Sequence, residues 1–154
     1  MKNILILIVL LFSLNLSAID EISLFNSDGD ATAYIDTEDD DLTIYLWGGK
    51  PVAYLHKKSG EFHVYGFNGN HLGWFIDGII RDHEGDAVGA KKDATDMYTN
   101  YEPYKGYKEY KPYKGYKEYK PYKGYKEYAP YKPYLSSSWS SMNFKLFLLK
   151  GIDD

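Results

Sequence analysis

One short pattern occurs four times between about residues 22 and 91, and it narrows what this chain can fold into more than any other feature. The copies are Ser27-Asp28-Gly29-Asp30-Ala31-Thr32-Ala33-Tyr34-Ile35, Trp47-Gly48-Gly49-Lys50-Pro51-Val52-Ala53-Tyr54-Leu55, Phe67-Asn68-Gly69-Asn70-His71-Leu72-Gly73-Trp74-Phe75 and His83-Glu84-Gly85-Asp86-Ala87-Val88-Gly89-Ala90. Asp-Gly, Gly-Gly and Asn-Gly supply the positive backbone angles of a two-residue type I′ hairpin turn, and strand-like runs flank each one. Residues equidistant from a turn face each other. Leu24 is therefore predicted opposite Ala33, Ile44 opposite Ala53, Val64 opposite Gly73 and Ile80 opposite Gly89. One pair further out, Ile22 meets Ile35, Leu42 meets Leu55 and Phe62 meets Phe75. This face is the predicted core. Its recurring Ala or Gly marks where four hairpins crowd around a common centre, because only a small side chain fits there. The opposite face carries Phe25, Tyr45 and Tyr65, then Tyr34, Tyr54 and Trp74, and is expected to be aromatic and partly exposed.

The run from Phe67 to Phe75, followed by Asp77-Gly78-Ile79-Ile80-Arg81-Asp82, together with Lys50-Pro51-Val52-Ala53-Tyr54-Leu55, resembles the four-fold beta flower family. Those are small bacterial proteins named for a circular, propeller-like arrangement of four hairpins. The resemblance covers roughly residues 20–92 and implies a fold; it brings no activity, and so no functional residue is carried over. The fourth copy departs from the pattern, with Arg81 where the others have an aromatic and Ala90 where they have Tyr or Trp.

Lys2, the apolar run Ile4 to Phe12 and the small-residue end at Ser17-Ala18 read as a secretory signal cleaved after Ala18. The competing reading is an uncleaved anchoring segment, although the run is short for a bilayer span. Cysteine is absent, so neither a lipid-bearing cysteine nor a disulfide is available. The expectation is an exported protein of the periplasm, cell surface or exterior, with no transmembrane span after cleavage. Its charge is uneven. Between Ile19 and Asn100 six basic residues face sixteen acids, a balance of −10, whereas Tyr101 to Tyr134 holds nine Lys and four Glu, a balance of +5. The two parts attract each other, so a basic tail lying on an acidic head competes with either part binding something foreign.

Chemistry-bearing motifs are few. The acidic linker Asp36-Thr37-Glu38-Asp39-Asp40-Asp41 lacks the spaced ligands and central glycine of a calcium loop and reads as a solvated charge run. His56, His63, His71 and His83 have no metal-ligand spacing and read as scattered structural or surface residues. Neither a nucleophile elbow nor a phosphate-cradling loop nor a His-Glu-x-x-His pair occurs. Carboxylates are plentiful enough for a hydrolase pair, but nothing singles one out. No metal and no cofactor is expected.

From Tyr101 to Tyr134 a tyrosine falls at every third position, overlaid by a nine-residue unit Pro-Tyr-Lys-Gly-Tyr-Lys-Glu-Tyr-Lys that starts at Pro103, Pro112 and Pro121. Period three matches polyproline II, with tyrosines along one edge and lysines along another. The prolines exclude a long helix or a continuous strand. Three readings stay open: a semi-rigid spacer, a binding strip whose phenols stack on sugar or aromatic faces, and a tail folded back over the head. Lysines interleaved with aromatics also suit single-stranded nucleic acid, but the modest charge and the export signal count against that partner. In the closing segment, Ser140 or Ser141 is expected to cap a short helix with Phe144, Phe147 and Leu148 on one face and Gly151 as its stop. That face either docks on the head or serves a membrane or partner.

The expected architecture is mainly β, four hairpins about a pseudo-four-fold axis. It divides into a signal peptide (1–18), a four-hairpin domain (19–98), a Tyr/Lys/Pro repeat (99–135) and a C-terminal segment (136–154). The expected function is a non-catalytic exported module that binds cell-envelope polysaccharide or protein, or is structural. The candidate contact residues are Tyr34, Tyr54 and Trp74 on the head and Tyr104, Lys105, Tyr107, Lys108, Tyr113, Tyr116, Tyr122 and Tyr125 on the tail. The alternatives are a small envelope hydrolase and a structural protein with the tail as spacer.

Overall fold

The computed structural model describes residues 20–95, 97–118 and 139–153. The signal peptide expected over 1–18 and the later part of the tyrosine array, including Tyr122 and Tyr125, lie outside the described residues. Eight strands form one closed antiparallel barrel in sequence order. They are β1 (Glu21–Phe25), β2 (Ala31–Asp36), β3 (Thr43–Leu46), β4 (Pro51–Lys58), β5 (Glu61–Gly66), β6 (His71–Ile76), β7 (Ile79–Arg81) and β8 (Ala87–Lys91). β8 returns to β1 through Leu24↔Lys91 and Phe25↔Ala90, which closes the ring and leaves no open edge. Leu24↔Ala33, Ile44↔Ala53, Val64↔Gly73 and Ile80↔Gly89 pair as the repeat predicts, as do Ile22↔Ile35 and Phe62↔Phe75.

The turns of the four copies differ from the expectation. A type I′ turn needs positive φ at both central residues. In the first copy only Gly29 has it (φ 82°), the Gly29 amide donates to the Asn26 carbonyl, and the Asn26 side chain accepts from the Asp28 and Asp30 amides. This is a longer turn closed by a left-handed glycine and followed by a bulge. Register shifts follow at Leu24/Phe25, Ile44/Tyr45, Val64/Tyr65 and Ile80/Arg81, one per copy. The two-residue turns with paired positive φ occur instead at two of the links, Ser59-Gly60 (52° and 84°) and Asp77-Gly78 (53° and 80°). Each bulge breaks the two-residue period of the strand, so Val52 and Ala53 both join the core, as do Leu72 and Val88.

The interior holds Leu24, Ile35, Ile44, Val52, Leu55, Val64, Leu72, Ile80 and Val88 around the small residues Ala33 and Ala53. Full burial of each large aliphatic contributes about 1.5–3 kcal/mol. Helix α1 (Phe144–Leu149) completes this core with Phe144, Phe147 and Leu148, all buried. The apolar face of the terminal segment therefore docks on its own head. Its N-cap is Asn143, whose side chain accepts from the Leu146 amide, and not Ser140 or Ser141. The aromatic ring of Phe144 fills the space above Gly89, where any Cβ would collide with it. Asn68 ties the helix end to the third hairpin by donating to the Lys150 and Asp153 carbonyls at 2.8 and 2.6 Å.

The irregular fourth copy is accommodated by two substitutes. Arg81 takes the aromatic position and donates from Nη1 to the Gly85 carbonyl of its own turn at 2.8 Å. Trp139 arrives from the far end of the chain, bridges to Ala87 and packs with Ile79, Ala87, Ala90 and Ala94. No helix among the described residues is long and apolar enough to cross a membrane.

Candidate functional site: a tyrosine strap over an aromatic wall

The outer wall of the barrel is lined with rings. Tyr34 stacks on Tyr45 with centroids 5.5 Å apart, Tyr54 on Tyr65 at 6.2 Å, and Trp74 packs against His71 at 4.7 Å. The expectation of a partly exposed aromatic face is corrected here. Tyr34, Tyr54 and Trp74 are each at most 2% exposed. For Tyr34 and Tyr54 part of the cover is the tail itself, whose described residues 97–118 contain neither helix nor strand and run as a strap across the hairpins.

The strap has two unlike sides. Lys105, Lys108, Lys111 and Lys114 turn to the barrel. Lys105 pairs with Glu21 at 2.8 Å, Lys108 with Glu21 and Asp36 at 3.0 and 2.7 Å, Lys111 with Asp39 and Asp41 at 2.8 and 3.2 Å, and Lys114 with Asp41. Their ammonium groups also sit over rings, Lys105 over Tyr34 and Trp47 at 5.0 and 4.7 Å and Lys114 over Tyr54 at 4.6 Å. The tyrosines turn away. Tyr98 is 84% exposed and Tyr104, Tyr107, Tyr110, Tyr113 and Tyr116 are essentially fully exposed. Of the predicted contact residues, Tyr104, Tyr107, Tyr113 and Tyr116 thus share an open outer side, while Lys105 and Lys108 are committed to the head. A free spacer and a strip offering both phenols and lysines do not describe residues 101–118.

Main-chain bonds hold the strap to the hairpin tips. The Asn100, Glu109 and Glu118 amides donate to the carbonyls of Gly29, Gly49 and Gly69 at 2.8, 2.9 and 2.9 Å. The Gly106 and Gly115 amides donate to the Trp47 and Phe67 carbonyls at 3.0 and 2.6 Å. Glycine is required at both crossings: a Cβ on Gly106 would run into the Gly48 backbone, and one on Gly115 would lie 2.8 Å from the Asn68 carbonyl oxygen.

Charge reinforces the fit. Burial alone would raise the Glu21 carboxyl, but hydrogen bonds and charge from Lys105 and Lys108 more than offset it and hold it below its ordinary value. Asp39 is lowered in the same way, burial opposing and Lys111 and Thr43 prevailing, and Asp41 is lowered chiefly by its hydrogen bond to Lys114. Burial and the neighbouring Glu21 push the Tyr34 phenol up to about 12, so it stays protonated. Each exposed ion pair contributes only about 0.2–1 kcal/mol, so the strap is held by many small terms. A carboxyl whose folded pKa is depressed stabilises the folded form above its unfolded value, and this is lost as pH falls through the folded one. Strap docking is therefore expected to weaken below about pH 4, the carboxylate range. Exchange of the Glu109 and Glu118 amides, corrected for intrinsic rate, should lose protection at pH 3 relative to pH 7. Equal protection at both pH values would show that the lysine contacts do not hold the strap.

The histidines are the second correction. Three of the four form a chain, His63 and His71 from the two strands of the third hairpin and His83 from the fourth: His63 Nδ1 lies 2.9 Å from His71 Nε2, and His71 Nδ1 lies 2.8 Å from His83 Nε2. Glu118 reaches into this cluster and accepts from the His71 amide at 2.6 Å, while its carbonyl accepts from the Tyr65 hydroxyl at 3.0 Å. Among the described residues no group of His, Cys, Asp and Glu is arranged to hold a metal ion. His71 directs both of its imidazole nitrogens at the other two rings. Sequence spacing missed the cluster because the pairings of β5 with β6 and of β6 with β7, and not helical periodicity, bring positions 63, 71 and 83 together.

A closed barrel of four bulged hairpins, plugged by a C-terminal helix and strapped by its own repeat, is a ring-shaped β architecture. A family model described as 4-fold beta flower protein matches residues 22–148, well over half of the chain, and the protein belongs to that family. The match takes in the strap and most of the helix as well as the hairpins. No curated protein and no solved structure matches the chain.

Proposed function

We propose that this is a non-catalytic exported binding module that displays a row of phenol rings to cell-envelope polysaccharide or protein. The reading rests above all on the outward tyrosines. A monomer rarely exposes many large aromatic side chains in a contiguous row unless they meet something. Here the lysines that alternate with them are engaged by Glu21, Asp36, Asp39 and Asp41, so the strap holds each ring outward without a neighbouring ammonium competing for the surface. Ring faces at every third residue suit a repetitive ligand with flat apolar faces, such as the pyranose rings of a glycan, and weak contacts in series add through multivalency. The same ion pairs favour binding over hydrolysis, since those four carboxylates serve as partners for the strap.

The test changes Tyr104, Tyr107, Tyr110 and Tyr113 to Ser together, leaving every lysine and glycine of the strap in place. Binding to purified peptidoglycan and envelope polysaccharide, measured by co-sedimentation, is expected to fall at least about tenfold while the melting temperature moves by no more than about 8 °C, because each exposed substitution rarely moves stability by more than ~0.5 kcal/mol. Undiminished binding by the four-fold variant would remove the tyrosines from the site.

A further inference from the structure

The strap and the hairpins share one period. Gly29, Gly49 and Gly69 occupy the same place in three successive hairpins, and the strap residues bound to them, Asn100, Glu109 and Glu118, are nine residues apart. Gly106 at Trp47 and Gly115 at Phe67 repeat the same step, as do Lys105 over Tyr34 and Lys114 over Tyr54. One nine-residue unit therefore serves one hairpin. The units Pro103 to Lys111 and Pro112 to Lys120 are identical in sequence. A strap moved by nine residues would offer each hairpin the same amides, the same lysines and the same glycine at the crossing.

We propose that the outer wall and tips of the hairpins are a binding site for an extended basic peptide, read at nine residues per hairpin, and that its ligand in trans is the strap of a second copy of this chain. The barrel surface sets the site's demands. It takes a lysine at every third position for Glu21, Asp36, Asp39 and Asp41 and the ring faces above Tyr34 and Tyr54, and it takes glycine where the peptide passes Gly48 and Asn68. Register degeneracy makes exchange inexpensive, because a strap displaced by one unit keeps most of its bonds and frees a unit for a neighbour. Exchange of an identical element between copies is a low-cost route to assembly. Intramolecular docking prevails in dilute solution through its high effective concentration. This inference concerns the lysine side of the strap and does not depend on what the tyrosines meet.

The experiment opens the site in the full-length chain. Gly106→Val with Gly115→Val drives the strap off its crossings without changing a residue of the barrel. A fluorescently labelled peptide with the sequence of residues 103–120 is then titrated into this variant and into the wild type, with folding checked by circular dichroism. The variant should bind the peptide at least tenfold more tightly than the wild type, whose own strap competes, and a peptide carrying the same two valines should bind neither. A second full-length variant, Lys108→Glu with Lys111→Glu, releases the strap by charge alone and should behave in the same way if the valine variant is poorly folded. Equal binding of the glycine and valine peptides would overturn the proposal, as would a folded, strap-released variant that binds no peptide.

Discussion

Replacing Phe147 by Ala is expected to cost about 3–5 kcal/mol, a large fraction of the stability of a domain of this size. Phe147 is 3% exposed and lies in the same core cluster as Val52, Leu72 and Val88, the aliphatics that the bulges turn inward. Because α1 packs on β2, β4 and β8, strands from three different hairpins lose a shared partner at once. The void has little chance to collapse, since the surrounding residues are held by the closed ladder of the barrel. Leu146 on the same helix is 60% exposed, so Leu146→Ala should change stability by no more than about 0.5 kcal/mol. Denaturant midpoints decide the matter, with the slope m expected to be unchanged for both variants. A Phe147→Ala protein with the wild-type midpoint would mean that the helix is an ornament on the barrel and not part of its core.

Much of the barrel was legible because the repeat carries its own register. A large aliphatic opposite Ala or Gly recurs in all four copies, and a register error of one residue would have put each of those pairs on the wrong face. Turn chemistry was read less well. The Asp-Gly, Gly-Gly and Asn-Gly dipeptides have the composition of two-residue turns, yet the carboxamide of Asn26, and likewise Asn68, which accepts from the Asn70 amide, favours a longer loop with a bulge. The bulge had a signal of its own in the aliphatic placed directly before the small residue, at Val52-Ala53, Leu72-Gly73 and Val88-Gly89. Such adjacent core residues are incompatible with an unbroken strand.

The site was half legible. Opposite charge in head and tail pointed to docking, and the period of three separated tyrosines from lysines. What escaped was which side faces out, because inspection of the strap alone cannot say that Glu21, Asp36, Asp39 and Asp41 lie where the lysines can reach them. The nine-residue overlay held that information. It matches the advance from one hairpin to the next, a comparison between two repeats of different lengths that composition does not suggest. The histidine chain was invisible for a related reason, since the pairing of β6 with β7 sets His83 beside His71, a cross-strand neighbour that metal-ligand spacing does not encode.

Gly73→Val is expected to destabilise by about 3 kcal/mol, the upper part of the range for overpacking. Two effects oppose each other here. Valine is the better strand residue, by up to ~1 kcal/mol. A Cβ at position 73, however, would overlap the Arg81 carbonyl oxygen and lie 3.0 Å from its carbonyl carbon and 3.4 Å from the Asp82 Cα. These are backbone atoms of the neighbouring turn region and cannot rotate away, so relief requires β7 to move from β6 and the ring to strain. Sterics win over propensity. At the equivalent register Ala53→Leu meets a fully buried site and should cost about 1–3 kcal/mol, whereas Gly48→Ala, with no atom within 4 Å of the new methyl, should be neutral or gain a few tenths. In thermal unfolding, ~1 kcal/mol corresponds to about 4 °C for a domain of this size, so Gly48→Ala should separate clearly from the two destabilised variants. A Gly73→Val protein that melts with the wild type would show that position 73 does not lie against the Arg81 carbonyl and that β6 and β7 pair in another register.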